Sequence, residues 1–174
     1  PLLEAFAQLV HRCALPRHYP QELLAGMAMD LTPALYADHS TLALYCYRVA
    51  GVVGLMMCHV MGVADDAALE QAAQLGMAMQ LTNIARDITE DAAMGRIYLP
   101  LSWLDEAKIP SEDIALPEHR EKLAMLTLRL LREADRYYRS GDAGLWYLSF
   151  RSACAVAAAR HVYAEIGSLL LRKG

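Results

Sequence analysis

The stretch from Ala67 to Asp91 or Ala92 reads as one long helix, and its pattern constrains the fold more than any other part of the chain. Met77, Leu81, Ile84, Ala85 and Ile88 recur at helical spacing, and most of the residues between them are polar. The polar side carries an N-x3-D-x3-D pattern, Asn83, Asp87 and Asp91. At 3.6 residues per turn, each of these falls about 40° from the last, so one face presents three oxygen-bearing side chains on adjacent turns. No segment elsewhere alternates with strand periodicity for more than a few residues. The chain is expected to be all-α.

Helices are predicted along its whole length. Leu2 to Cys13 forms a short amphipathic one, and Pro20 opens a second that runs to about Asp30. Ser40 or Thr41 caps a long third that reaches about Met61. The Ala67–Asp91 helix follows, with Gly95 as its stop. Short pieces surround Trp103 and Asp113. A further helix opens at Pro117 and breaks at Gly141-Asp142-Ala143-Gly144, and a last one spans about Arg151 to Arg172.

Asn83, Asp87 and Asp91 offer the hard oxygen donors that a divalent cation such as Mg2+ prefers, often in a shell shared with phosphate. Gln80 and Glu90 extend the same face, Arg86 sits at its margin and Arg96 follows just beyond. Oxygen donors with arginines alongside suit a diphosphate. The same spacing also marks ordinary solvated helix faces, and D-x3-D alone does not separate the two. Asn83 favours the site, because it is a mediocre helix former set in an apolar neighbourhood.

The third helix has its own pattern. Tyr47, Ala50, Gly51, Gly54 and Cys58 make a narrow stripe beside a face of Tyr45, Val49, Val52, Val53 and Met56. Glycine inside a helix costs about 1 kcal/mol relative to alanine. Two explanations stay open: close helix–helix contact, or room for a long hydrocarbon walled by valine and methionine. Nine methionines suit an adaptable apolar cavity and suit an ordinary core equally.

With 174 residues, 56% of them hydrophobic, the chain can bury one large core. Its net charge of -4 and the lack of any basic run with interleaved aromatics exclude a nucleic-acid partner. The four cysteines are far apart, with no C-x-x-C, and are expected to be small buried hydrophobes in a reducing, cytoplasmic setting. No histidine spacing suggests zinc. The most apolar run, Val49 to Ala64, falls short of the roughly 20 residues needed to cross a bilayer and reads as a buried core helix. The arginines at 129, 132, 136 and 139 read as a solvated face with helical ion pairs.

Three segments in order, Tyr45-Cys46-Tyr47-Arg48-Val49-Ala50-Gly51-Val52-Val53-Gly54, Gln80 through Asp91, and Gly95-Arg96-Ile97-Tyr98-Leu99-Pro100, closely resemble the squalene and phytoene synthase family. The resemblance implies an all-α isoprenoid (terpenoid) synthase helical bundle, here in part. It also implies head-to-head joining of two prenyl diphosphates through a cyclopropylcarbinyl diphosphate, with Mg2+, or Mn2+ in its place. Bacterial phytoene synthases look nearest, which implies two geranylgeranyl diphosphates and a carotenoid precursor. A C30 relative acting on farnesyl diphosphate shares every motif, and a non-catalytic assembly factor of the same fold is a third alternative.

Carried over residue by residue, the resemblance makes Asn83, Asp87 and Asp91 the metal ligands. Arg86 and Arg96 become diphosphate contacts and Gln80 a pocket residue. Tyr45 matches the tyrosine acting near the departing diphosphate or the carbocation. Gly51, Val52, Tyr98 and Tyr163 become substrate-side residues. The family also places a first D-x3-D motif upstream, and this chain has no second one; Met29-Asp30-Leu31 resembles the segment that follows it. Residues 1–174 are therefore expected to be a partial domain, inactive alone, lacking the N-terminal helices and a short C-terminal piece. Lipidic substrates leave peripheral contact with a membrane surface open, and the oligomeric state is not legible.

Overall fold

The structure, a computed structural model, describes residues 1–31, 35–63 and 65–173, and the described residues form helices and turns with no strand. In chain order the helices are α1 (Leu2–Arg12), α2 (His18–Met29), α3 (His39–Cys46), α4 (Val52–Val60), α5 (Asp66–Ala93), α6 (Leu101–Ala107), α7 (Arg120–Gly144) and α8 (Phe150–Lys173). A π-helical turn, Tyr47–Gly51, joins α3 to α4 without breaking the rod. Short 3-10 turns lie at Ser111–Asp113, Pro117–His119 and Leu145–Tyr147.

α5 is the axis of the bundle. It packs most extensively against α7, and against α4, the π turn and α8 as well. Its start is fixed by Asp65, whose carboxylate accepts from the Ala67 and Ala68 amides. Its end is a Schellman turn: Arg96 N donates to Asp91 O and Gly95 N to Ala92 O, with Gly95 at φ +75°. The predicted stop is therefore in place. Leu81, Ile84, Ala85 and Ile88 face a core they share with Leu42, Trp103, Leu104 and Leu130.

Several expected boundaries shift for local reasons. The cap of α3 is Asp38, not Ser40 or Thr41; its carboxylate accepts from Thr41 N while the Thr41 hydroxyl closes a capping box. α7 passes through Gly141 and ends only after Gly144. Those glycines serve packing instead: a Cβ on Gly141 would lie 2.9 Å from Leu75 Cβ, and one on Gly144 3.0 Å from Gln71 Cβ. The stripe on α4 likewise resolves as close contact. A Cβ on Gly54 would run into the Ala72 carbonyl, and one on Gly76 into the Ala50 carbonyl. α4 and α5 therefore cross almost backbone to backbone.

Two other expectations change. Cys46 and Cys58 are buried, but Cys154 is exposed and Cys13 only half-buried. Arg129 is not merely solvated: its guanidinium stacks 4.0 Å above the Trp103 ring and pairs with Glu106 at 2.7 Å. Arg136 pairs with Glu133 and Arg139 with Asp135, as helical spacing predicts. The continuous rod from His39 to Val60 and the helix from Phe150 to Arg172 are both long and apolar enough to cross a membrane by length and composition. The first lies against α2 and α5, and the apolar run read in sequence extends to Ala64, outside the described residues. α8 is mostly exposed.

Candidate active site

One face of α5 lines an apolar cavity of about 350 Å³. From its C-terminal end that face offers Asn83, Gln80, Met79, Gly76, Leu75, Ala72 and Ala68. Val49, Ala50, Val53, Gly54 and Met57 close it from the α4 side, and Gly141, Gly144, Leu145 and Leu148 from the α7–α8 corner. Val156, Ala159 and Tyr163 of α8 complete the wall. Its polar side chains, Gln80, Asn83 and Tyr163, lie towards one end, and the other end holds only apolar groups. The small residues that let α4 and α5 touch also keep this lumen open.

Beyond Asn83 the same helix carries the charged groups. Asp87 and Asp91 are both half-buried, while Arg86, Glu90 and Arg96 are exposed. The Arg86 guanidinium makes a two-pronged pair with Asp87, Nε to Oδ1 at 2.7 Å and Nη2 to Oδ2 at 2.6 Å. Burial, and then the charge of Asp87, push the Asp91 carboxyl above its ordinary value, with Arg96 pulling the other way. A partly desolvated carboxyl that a neighbouring carboxylate pushes towards its protonated form also favours a cation beside it. With the Asn83 amide the two carboxylates form a hard-oxygen donor set that fits one side of a divalent cation, the remaining positions being left to phosphate and water. Among the described residues no group of three His, Cys, Asp or Glu side chains is arranged to hold a metal by itself. The protein side of the site is thus an open half-shell.

Against this half-shell lies a stack of tyrosines. Tyr45 is 3% exposed, and its ring lies 5.2 Å from that of Tyr98 and 5.3 Å from that of Tyr36. Both the Tyr45 and Tyr98 hydroxyls donate to Asp30 at the end of α2, at 3.1 Å and 2.9 Å. Burial pushes all three phenols above their ordinary range. Tyr98 also lines a small recess with Asp91 and Arg96.

The residues expected from sequence therefore separate into three places. Gln80, Asn83 and Tyr163 line the cavity; Arg86, Asp87, Asp91 and Arg96 stand past its polar end; Tyr45 and Tyr98 join the aromatic stack. Gly51 and Val52 line no part of the cavity. Gly51 faces Ala73 and Met77, and Val52 is wholly buried against Tyr19, Leu55 and Ala73. Among the residues of this rod that do line the cavity, Val49, Ala50, Val53, Gly54 and Met57 recur at helical spacing, and Gly51 and Val52 fall off that face. Asp30 was not foreseen. Its signal, a carboxylate closing the apolar Met27-Ala28-Met29, is faint, because its partners lie 15 and 68 residues away.

An all-α bundle whose central helix is greasy at one end and oxygen-rich at the other belongs to the terpenoid synthase class of folds. A solved squalene synthase HpnC from Alicyclobacillus acidocaldarius superposes with a TM-score of 0.88 over 94% of this chain and 62% of its own, at 22% identity. A solved dehydrosqualene synthase gives 0.75 over 83% of this chain and 51% of its own, at 31% identity. The family model for squalene/phytoene synthase matches residues 1–174, and the chain belongs to that family. It is 47% identical over 167 residues to a 15-cis-phytoene synthase of Pantoea ananas, covering 96% of this chain and 54% of that protein. It is 46% identical over 174 residues to one of Enterobacter agglomerans, covering 100% of this chain and 59% of that protein. The chain thus spans little more than half the length of these curated relatives.

Proposed function

We propose that this chain is the cation-and-cavity half of an enzyme that joins two geranylgeranyl diphosphates head to head, through a cyclopropylcarbinyl diphosphate, to give phytoene. The reading rests above all on the continuous cavity face of α5. From Asn83 to Ala68 that face climbs about 22 Å at 1.5 Å per residue. A geranylgeranyl main chain of sixteen carbons spans about 19 Å when extended, and a farnesyl chain of twelve about 14 Å, from C–C bonds near 1.5 Å. The face therefore suits the longer tail. The names of the bacterial relatives point the same way.

Asn83, Asp87 and Asp91 would hold Mg2+ (or Mn2+). When bound, the cation would offset negative charge on the diphosphate as it leaves. Arg86 and Arg96 supply fixed positive charge at the same end, and Arg86 can exchange its Asp87 partner for phosphate oxygens. The lumen behind Asn83 keeps water from the allylic cation, since Ala72, Leu75, Met79 and Val156 offer it no polar group. Tyr163 and Gln80 border the passage between head and tail. The final step loses a proton to give phytoene; no reductant is required.

The test is product analysis. The full-length protein, incubated with geranylgeranyl diphosphate and Mg2+, should yield a C40 hydrocarbon by mass spectrometry. A C30 product formed in preference from farnesyl diphosphate would assign it to the shorter-chain branch. No turnover of either substrate would favour a non-catalytic assembly role, against which stands the retention of both Asp87 and Asp91.

A further inference from the structure

Asp30 closes α2 as its C-terminal capping residue, where the helix dipole disfavours an anion. It is nevertheless placed so that one carboxylate collects two phenols from distant parts of the chain, Tyr45 buried and Tyr98 half-buried. Tyr45 Oη donates to Oδ1 and Oδ2, both at 3.1 Å, and Tyr98 Oη donates to Oδ1 at 2.9 Å. The two hydroxyls are 3.4 Å apart. Tyr36 closes the stack from behind, 5.8 Å from the Tyr98 ring, with its own buried hydroxyl unpartnered among the described residues. The backbone fixes this arrangement as well, since the amides of Leu101 and Ser102 donate to the Tyr36 and Ala37 carbonyls. Asp30 itself remains exposed above the buried rings, on the side from which Asp91 feels its charge.

We propose that Asp30 is a positioning residue for the reaction: by accepting hydrogen bonds from the Tyr45 and Tyr98 hydroxyls, it fixes both phenols beside the Asp91–Arg96 end of the site. A phenol whose O–H is committed to a carboxylate cannot also give that proton to the departing diphosphate. What it can offer is electron density, which stabilises a neighbouring carbocation. Of the two roles that Tyr45 could play, beside the leaving group or beside the cation, this geometry selects the second. The assignment rests on the head-to-head reading above, but the hydrogen-bonded hub does not depend on it.

The experiment has two arms. In the first, the chain is labelled with 13Cζ-tyrosine and Asp30→Asn is compared with wild type. The Tyr45 and Tyr98 signals, assigned through their Phe variants, should move together, while that of Tyr138, whose hydroxyl partners Thr82, stays in place. Unmoved Tyr45 and Tyr98 signals overturn the hub, whatever the enzyme's activity. In the second, the full-length protein carries Asp30→Asn alone and in a Tyr45→Phe/Tyr98→Phe background. In the wild-type background kcat should fall about thirtyfold, the scale of losing charge-assisted hydrogen bonds, with KM changing less than about twofold. In the double-Phe background the same change should cost less than about twofold, because the groups it acts through are gone. Equal losses in both backgrounds would make Asp30 merely structural and overturn the proposal. If wild type turns over no prenyl diphosphate at all, the functional reading fails, and the first arm still decides the hub.

Discussion

The two halves of α5 differ in almost every physical respect, although they are one helix. From Asp66 to Met79 it is mostly alanine, leucine, glycine and methionine, touches the π turn through Gly76 and α4 through Ala72, and borders a greasy lumen. From Gln80 to Ala93 the outward face carries two amides, three carboxylates and an arginine, while only the inward face stays apolar. The first half offers the lumen no charged side chain, and the second reaches the lumen only through Gln80 and Asn83 at its polar end. Joined end to end they suit an anion with a long hydrocarbon, and neither half alone would.

The sharpest way to break the apolar half is steric. Gly76→Val would drive side-chain carbons into the Ala50 carbonyl, costing about 3 kcal/mol or more, and thermal melting should show Tm falling by at least about 6–12 °C. The polar half should tolerate change structurally but not functionally. Asp87→Asn in the full-length protein should lower turnover about a hundredfold or more with little change in Tm, as steady-state assays would show. A smaller effect concerns the tail. Ala68→Phe fills the far end of the lumen and should shift the ratio of kcat/KM for geranylgeranyl over farnesyl diphosphate about tenfold towards farnesyl. An unchanged ratio would mean that the lumen does not measure the tail.

Much of this division was legible in sequence, because both halves obey the helical period. The long helices, the Gly95 stop and the face that presents Asn83, Asp87 and Asp91 follow from residue spacing alone. What escaped was non-periodic or non-local. The motif that carries Gly51 and Val52 does not say which of its residues reach the cavity, and both pack against α5 or α2 instead. Asp38, Ser40 and Thr41 are all competent caps, and only the geometry shows Asp38 in use. Glycines at 141 and 144 look like a helix end until the partner helix is present to need them. Asp30 has no acidic neighbour one turn away, and two tyrosines far along the chain give it its surroundings.

The smaller predictions sharpen the comparison further. Thr82, on the inward side of the polar half, bonds the Tyr138 hydroxyl at 3.0 Å in the core, so Thr82→Val should cost about 1–2 kcal/mol in denaturant unfolding. Asp91 should show the reverse sign. Its carboxyl lies above the ordinary carboxylate value, so the folded chain holds that proton more tightly than the unfolded one. Stability from this group is greatest at acid pH and is lost as pH rises through the raised value, leaving a net cost at neutrality. Asp91→Asn should therefore raise Tm in metal-free buffer by roughly one or two degrees at pH 7 and by nothing near pH 3.

The most direct measurement is a residue-resolved map of how the protein binds an unreactive geranylgeranyl thiodiphosphate with Mg2+. Amide and methyl NMR shifts should change at both ends of α5 at once, around Asn83, Asp87 and Asp91 for the head and around Ala68, Ala72 and Met57 for the tail. Shifts confined to one end, or a ligand that ignores the lumen altogether, would contradict the account.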